Sequence, residues 1–207
     1  MSEIRLRVPN IEHESRSWRI EEIVPDFRLE DVWALPARGR GEDFARLLDV
    51  IGSLDLAHGK SRATRLLVAI RRRLGDWLGW DDASRRLPIP GESDVTLSAR
   101  LPQDLRNTQT ARGPRLSGFT PLYCTDVEWA AELSNRTVHA VIHLAWVDEG
   151  DGSYGGRLAV YVKPRGRLGA GYMALIAPFR HHVVYPALMR QIGHVWEIPA
   201  AQANLGS

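Results

Sequence analysis

Thr137-Val138-His139-Ala140-Val141-Ile142-His143-Leu144-Ala145-Trp146-Val147 is the stretch that decides the fold. Val138, Ala140, Ile142, Leu144 and Trp146 fall on alternate positions, with His139, Val141, His143 and Ala145 between them. Period two predicts a strand over 137–147 with one purely apolar face. A Gly-rich turn over 150–156 leads to a second strand over 157–163, and residues 168–196 then run as a helical segment apolar nearly all round. A helix without a polar face is buried on more than one side. An antiparallel sheet wrapped around it meets that need and often leaves a ligand cavity between the layers.

Working back toward the N-terminus, residues 119–123 and 128–133 continue the sheet, and Ser134-Asn135 reads as a two-residue hairpin turn. Residues 94–101 alternate with Val95, Leu97, Ala99 and Leu101 on one side, which predicts a further strand. Residues 102–118, rich in Arg, Thr, Gln, Gly and Pro, read as a loop or lid. A helix opens at Glu42 and Asp43, presents Phe44, Leu47, Leu48 and Ile51 on one face and stops at Gly52. A second is expected over 61–78, where Arg71, Arg72 and Arg73 splay around the axis and form no basic patch. Phe27, Leu29, Trp33 and Leu35 mark a strand over 27–35. The order of strand, two helices, antiparallel meander and long helix is that of an α+β protein. One domain over 1–207 is expected, with 1–20 a peripheral extension.

The 27 basic and 25 acidic residues nearly cancel, leaving a net charge of +2, which argues against a nucleic-acid partner. Cys124 is the only cysteine, so no intramolecular disulfide or thiolate cluster forms, and a small buried hydrophobe is its expected role. No apolar run reaches spanning length and residues 1–10 carry Glu3, Arg5 and Arg7 in place of a signal sequence, which reads as cytoplasmic.

Three stretches carry a resemblance. They are Asp26-Phe27-Arg28-Leu29-Glu30-Asp31-Val32-Trp33-Ala34-Leu35-Pro36; Asn135-Arg136-Thr137-Val138-His139-Ala140 with His143-Leu144; and Pro178-Phe179-Arg180-His181 with Tyr185-Pro186-Ala187-Leu188-Met189-Arg190-Gln191-Ile192-Gly193. They look like an uncharacterised bacterial family of unknown function, and the element order resembles the START-like helix-grip (SRPBCC) superfamily of birch pollen allergen relatives and polyketide cyclases. The resemblance implies a fold and carries over no catalytic residue.

Two constellations are candidate sites. His139 and His143 share a strand face, and at about 3.3 Å per residue they stand roughly 13 Å apart, too far to share a metal. A two-residue turn at Ser134-Asn135 places Ala130 opposite His139, Glu128 opposite Val141 and Asp126 opposite His143. Glu128 then lies diagonally to both histidines, as a carboxylate orienting a general base would. Because the other face is the apolar one, His139 and His143 are expected on the wetter, convex side. On the C-terminal helix, Tyr172, Ile176, Phe179, Val183 and Ala187 share a face with Arg190 and His194, and Arg180 lies at its edge. A buried arginine needs a carboxylate or an anionic ligand. Pro178 and Pro186 free the carbonyls of Ala174 and His182 and are expected to bend the helix. Gly166, Gly169 and Gly171 read as a flexible turn, not as a dinucleotide fingerprint.

The leading expectation is binding of a small, mostly apolar or amphipathic molecule, walled by Trp129, Trp146, Tyr172 and Phe179 and anchored by Arg180 and His182. The alternatives are a cyclase, dehydratase or hydrolase using His139, His143 and Glu128, or a protein-interaction domain using His139, Val141, Ala145 and Tyr161. No metal or cofactor is called for, and a homodimer stays open.

Overall fold

The computed structural model describes residues 7–54, 96–108, 113–116, 118–134 and 138–197, and within these the side chains of residues 167–170, 172, 175 and 179 are not described. The helix expected over 61–78 and its three arginines fall outside the described residues. The described chain is α+β, with a six-stranded antiparallel sheet in the order β1-β2-β6-β5-β4-β3. The strands are β1 (Arg7–Val8), β2 (Arg28–Gly39), β3 (Thr120–Cys124), β4 (Glu128–Ser134), β5 (Val138–Asp148) and β6 (Tyr154–Pro164). Among the helices, α1 (Asn10–Glu14) and α2 (Arg19–Ile23) precede β2, α3 (Phe44–Ser53) follows it, and α4 (Gln103–Arg106) precedes β3. The C-terminal helix consists of α5 (Gly166–Phe179), a π turn (Arg180–Val184) and α6 (Tyr185–Glu197). A sheet packed against this helix is the helix-grip-like arrangement expected. No described helix is long and apolar enough to cross a membrane.

The apolar row of β5 faces α3 and the C-terminal helix, as the alternation predicts. Trp33 and Leu35 of β2, Leu158 of β6, Leu144 and Trp146 of β5 and Trp129 of β4 pack there with Phe44, Leu47 and Ile51 of α3 and Tyr185, Met189 and Ile192 of α6. Gly156 of β6 allows that approach, since a Cβ there would meet Leu47 at 3.0 Å and Leu35 at 3.2 Å.

The opposite face departs from expectation. It is not wet: Ile20, Ile23 and Val24 from the N-terminal segment and Leu97, Leu101 and Leu105 from the segment before β3 pack on Val32, Ala130, Val141, Ala145, Ala159 and Tyr161. Of the stretch 1–20 expected as a peripheral extension, residues 10–20 lie together with 21–23 as a cover on the sheet, where Trp18, Ile20 and Ile23 bury their apolar surface. In the described part of the strand expected over 94–101, from Thr96 onward, the chain instead forms a 3-10 turn (Leu97–Arg100), with Thr96 accepting from the Ser98 amide at its start. Leu97 and Leu101 are buried, which alternation also allows, but the segment lies across the face and joins no strand. Asp26 clasps this cover to the C-terminal end of β6, accepting from Arg100 at 2.6 Å and Lys163 at 3.0 Å.

The β4–β5 register also differs. Ser134 pairs with His139 and Glu128 with Ala145, so the connection is longer than two residues. The slip from the expected pairing is an even number of residues, which preserves every side chain's face while changing its partner.

Candidate functional site

Two polar clusters lie on opposite faces of the sheet. The first centres on Asp31, which is 1% exposed and lies on the otherwise apolar helix face. Successive residues of a regular strand point to opposite faces, so Glu30 and Asp31 would not normally share a partner. A bulge in β2 between Leu29 and Asp31 lifts that restriction. Arg180 Nη2 then lies 3.1 Å from Glu30 Oε1 and 2.9 Å from Asp31 Oδ2.

The helix meets this pair at its own irregularity. Pro186 has no N–H to donate to the His182 carbonyl, and the chain answers between the two prolines with the π turn Arg180–Val184. An i→i+5 turn brings Arg180 toward alignment with Tyr185, while His181 and Tyr185 are spaced four apart. All three converge on one carboxylate: His181 Nε2 is 2.7 Å from Asp31 Oδ1, and Tyr185 donates to Oδ2 at 3.3 Å. Arg7 approaches from β1 at 3.5 Å, and Arg28 bonds Glu30. Burial would raise the Glu30 pKa, but the bonds from Arg28 and Arg180 outweigh it and hold the carboxyl low. Burial, with the Asp31 charge beside it, raises the Tyr185 phenol well above its ordinary range. Trp33 Nε1 and Arg180 Nε are buried here without a hydrogen-bond partner.

The second cluster lies under the N-terminal cover. Glu128 and Glu132, both buried, project from β4 diagonally to the histidines of β5. Glu128 accepts from His143 Nε2 at 3.0 Å, Tyr123 Oη at 2.9 Å and the Arg19 amide, which opens α2, at 3.1 Å. Glu132 accepts from His139 Nε2 at 2.8 Å, Thr96 Oγ1 at 2.5 Å and the Leu97 amide at 3.2 Å. Burial opposes the charge of both carboxylates, and these bonds more than compensate, holding both below the ordinary range. Each glutamate therefore caps one covering segment while its histidine holds it from the sheet. The arrangement is a double clasp.

His13 completes this cluster. Its ring stacks on Trp18 with centroids 5.2 Å apart and meets His143 edge-on at 5.5 Å. It is fully buried and neither ring nitrogen has a partner. Burial first, and then the neighbouring His143, Arg157 and Arg16, push its pKa down to about 3. Tyr161 Oη and His143 Nδ1 are also buried and unpartnered.

The structure thus brings Glu128 to His143 as the sequence suggested, but gives His139 to Glu132, which a two-residue turn had concealed. His139, His143 and Glu128 are not on a wet face; the N-terminal segment and the Leu97–Arg100 turn seal them. For the same reason His139, Val141, Ala145 and Tyr161 offer no interaction surface: all four are buried. Trp129 and Trp146 lie in the core on the helix side, Trp146 donating to the Arg40 carbonyl at 2.8 Å. Arg180 has protein carboxylates as partners. His182 is exposed and His181, its neighbour, takes the inward position. The error follows from projecting 180–185 as an α-helix when the π turn shifts the phase. The side chains of Tyr172 and Phe179 lie outside the described residues. Asp31 escaped sequence reasoning, although a lone acid on the apolar period of β2, two residues before Trp33, was a readable signal.

Among the described residues no group of three or more His, Cys, Asp or Glu side chains is placed to hold a metal. No curated protein and no solved structure matches the chain. A family model described as a protein of unknown function, DUF2867, matches residues 23–187, a span from the end of α2 to the start of α6 that contains both clusters except Arg7, His13, Trp18 and the Arg19 amide, and the chain belongs to that family.

Proposed function

We propose that the protein binds a small, mostly apolar molecule between the sheet and the first half of its C-terminal helix, with one end of the molecule at the Asp31 cluster. The observation that carries the reading is uneven filling of the helix face. Under α3 and α6, Trp129, Leu144, Trp146 and Leu158 are sealed. Toward α5, Leu133, Ala140, Ile142 and Val160 of the same face, with Ile176 opposite, are only partly buried around Val138, Val162 and Met173. Aliphatic surface left half covered between two layers is favourable ground for an apolar ligand. The resemblance to START-like helix-grip proteins supports the same reading, since a sheet closed over a helix is the architecture in which such cavities arise.

The enzymatic alternative draws on one observation, the Asp31–His181 pair. A general base needs an oriented imidazole with access to its substrate. His181 combines a buried carboxylate partner with 25% side-chain exposure, whereas His143 has none. Catalysis through His139, His143 and Glu128 would require the N-terminal cover to lift.

Fluorescence titration with neutral 1-aminoanthracene tests the binding reading. Saturable, blue-shifted emission is expected, weakened at least tenfold in Ala140→Leu and Val160→Trp, which fill the half-covered layer; circular dichroism verifies that both variants fold. Absence of saturable binding, or unchanged affinity in the folded variants, overturns it.

A further inference from the structure

The register of the sheet leads from the half-covered layer to one polar group. On the helix face, directly paired residues of β2, β6, β5 and β4 stand side by side in rows. The row of Trp33, Leu158, Leu144 and Trp129 is sealed. The next row is Asp31, Val160, Ile142 and Ala131, and its Val160 and Ile142 are half-buried. With strands about 4.8 Å apart, the uncovered apolar surface of this row starts one strand from Asp31 and reaches the next. Asp31 has no oxygen left to meet a ligand there: Oδ2 accepts from Arg180 and Tyr185, and Oδ1 from His181. His181 does have capacity. It follows directly on α5, whose Met173 and Ile176 pack over Val138, Val162 and Val160, and its side chain is partly exposed. Among the described residues its ring makes one hydrogen bond, through Nε2 to Asp31. A carboxylate paired with a guanidinium only accepts, so Nε2 carries the proton and the neutral ring keeps a lone pair at Nδ1. The surrounding charge has the matching sign. One buried guanidinium, Arg180, faces two carboxylates, Glu30 and Asp31, while Arg7 and Arg28 are more than half exposed and screened by water.

Resting on the binding reading above, we infer that the ligand is an apolar alcohol whose hydroxyl donates to His181 Nδ1, while its hydrocarbon part lies over Val160 and Ile142. A hydroxyl supplies the proton that the lone pair lacks and brings no charge into the layer. A carboxylate head would set a third anion beside Glu30 and Asp31 and present acceptors to an acceptor. An ether of the same length fills the same apolar space and has no proton to donate, so the difference between alcohol and ether isolates this one contact.

The experiment is displacement of bound 1-aminoanthracene at pH 8 by 1-decanol, by 1-methoxynonane, which has the same number of heavy atoms, and by decanoate, on the full chain and on His181→Phe. Decanol is expected to displace the probe about fivefold more tightly than the ether, the worth of one hydrogen bond, and more tightly than decanoate. His181→Phe keeps a ring against Tyr185 and removes the acceptor; it should abolish the preference for decanol over the ether and leave the ether nearly unchanged, with circular dichroism to verify folding. A second measurement needs no variant: in the unmodified protein labelled with ¹⁵N-histidine, decanol should move the resonance of one unprotonated ring nitrogen upfield, and the ether should not. No displacement by decanol, equal displacement by alcohol and ether, tighter displacement by decanoate, a preference untouched in folded His181→Phe, or no nitrogen shift on adding decanol overturns the hydroxyl inference and leaves the binding reading in place. Failure of the unmodified protein to bind 1-aminoanthracene at all overturns both.

Discussion

His13 makes the fold acid-sensitive, and the size of the effect follows from its surroundings. In the folded chain the ring is fully buried, neutral and without a hydrogen-bond partner, with a pKa near 3 against 6.5 when exposed. The unfolded chain therefore binds the proton first as pH falls. Between pH 6.5 and 3 the unfolded state holds more protons, so stability falls with pH throughout that window. At pH 5 the unfolded imidazole is protonated in a ratio of about 30 to 1 while the folded one is not, which corresponds to about 2 kcal/mol lost relative to neutral pH. His13→Phe retains a ring of similar size against Trp18 and His143, removes both unpartnered nitrogens and cannot titrate. Urea unfolding followed by circular dichroism, at pH 7 and pH 5 on both proteins, reads the difference. The parent should lose about 2 kcal/mol more than the variant over this interval, and the variant should be at least as stable at pH 7. An equal loss in both proteins would refute the argument, since it would mean that His13 is either solvated or bonded in the folded state.

Two further perturbations test the covers and the core. Glu128→Gln replaces a charged acceptor of three hydrogen bonds and should cost about 2–3 kcal/mol; hydrogen exchange should locate the loss in the amides of α2, with β5 and β6 still protected. Gly113 has φ +124° and a Cβ there would lie 2.4 Å from Trp129 Nε1, whereas Gly150 has φ +86° and open space around it. Thermal unfolding should therefore show Gly113→Ala destabilised by about 2 kcal/mol more than Gly150→Ala, which bears backbone strain alone.

Much of the plan was legible because burial leaves a periodic signature. Period two in residues 137–147, 128–133 and 27–35 located β5, β4 and β2, and the apolar run after Gly166 located the C-terminal helix. Leu97 and Leu101 misled for a related reason: alternation marks which residues are buried, and a 3-10 turn lying across a sheet buries alternate residues as a strand does. The second sheet face was misjudged because its histidines and glutamates look like a surface row. Only their pairing with one another and with the Arg19 and Leu97 amides makes them compatible with an interior.

The sequence by itself determined the α+β class, the antiparallel meander and which side of β5 meets the helix, since those depend on local spacing and on the apolar character of each residue. Tertiary structure alone decided the partners. The length of the β4–β5 connection set whether Glu128 or Glu132 reaches His139; the β2 bulge let Glu30 and Asp31 share Arg180; and the π turn chose His181 over His182. Each is a displacement of one or a few residues, too small to disturb a hydrophobic period, yet large enough to change which polar atoms come within the 3 Å or so at which hydrogen bonds form.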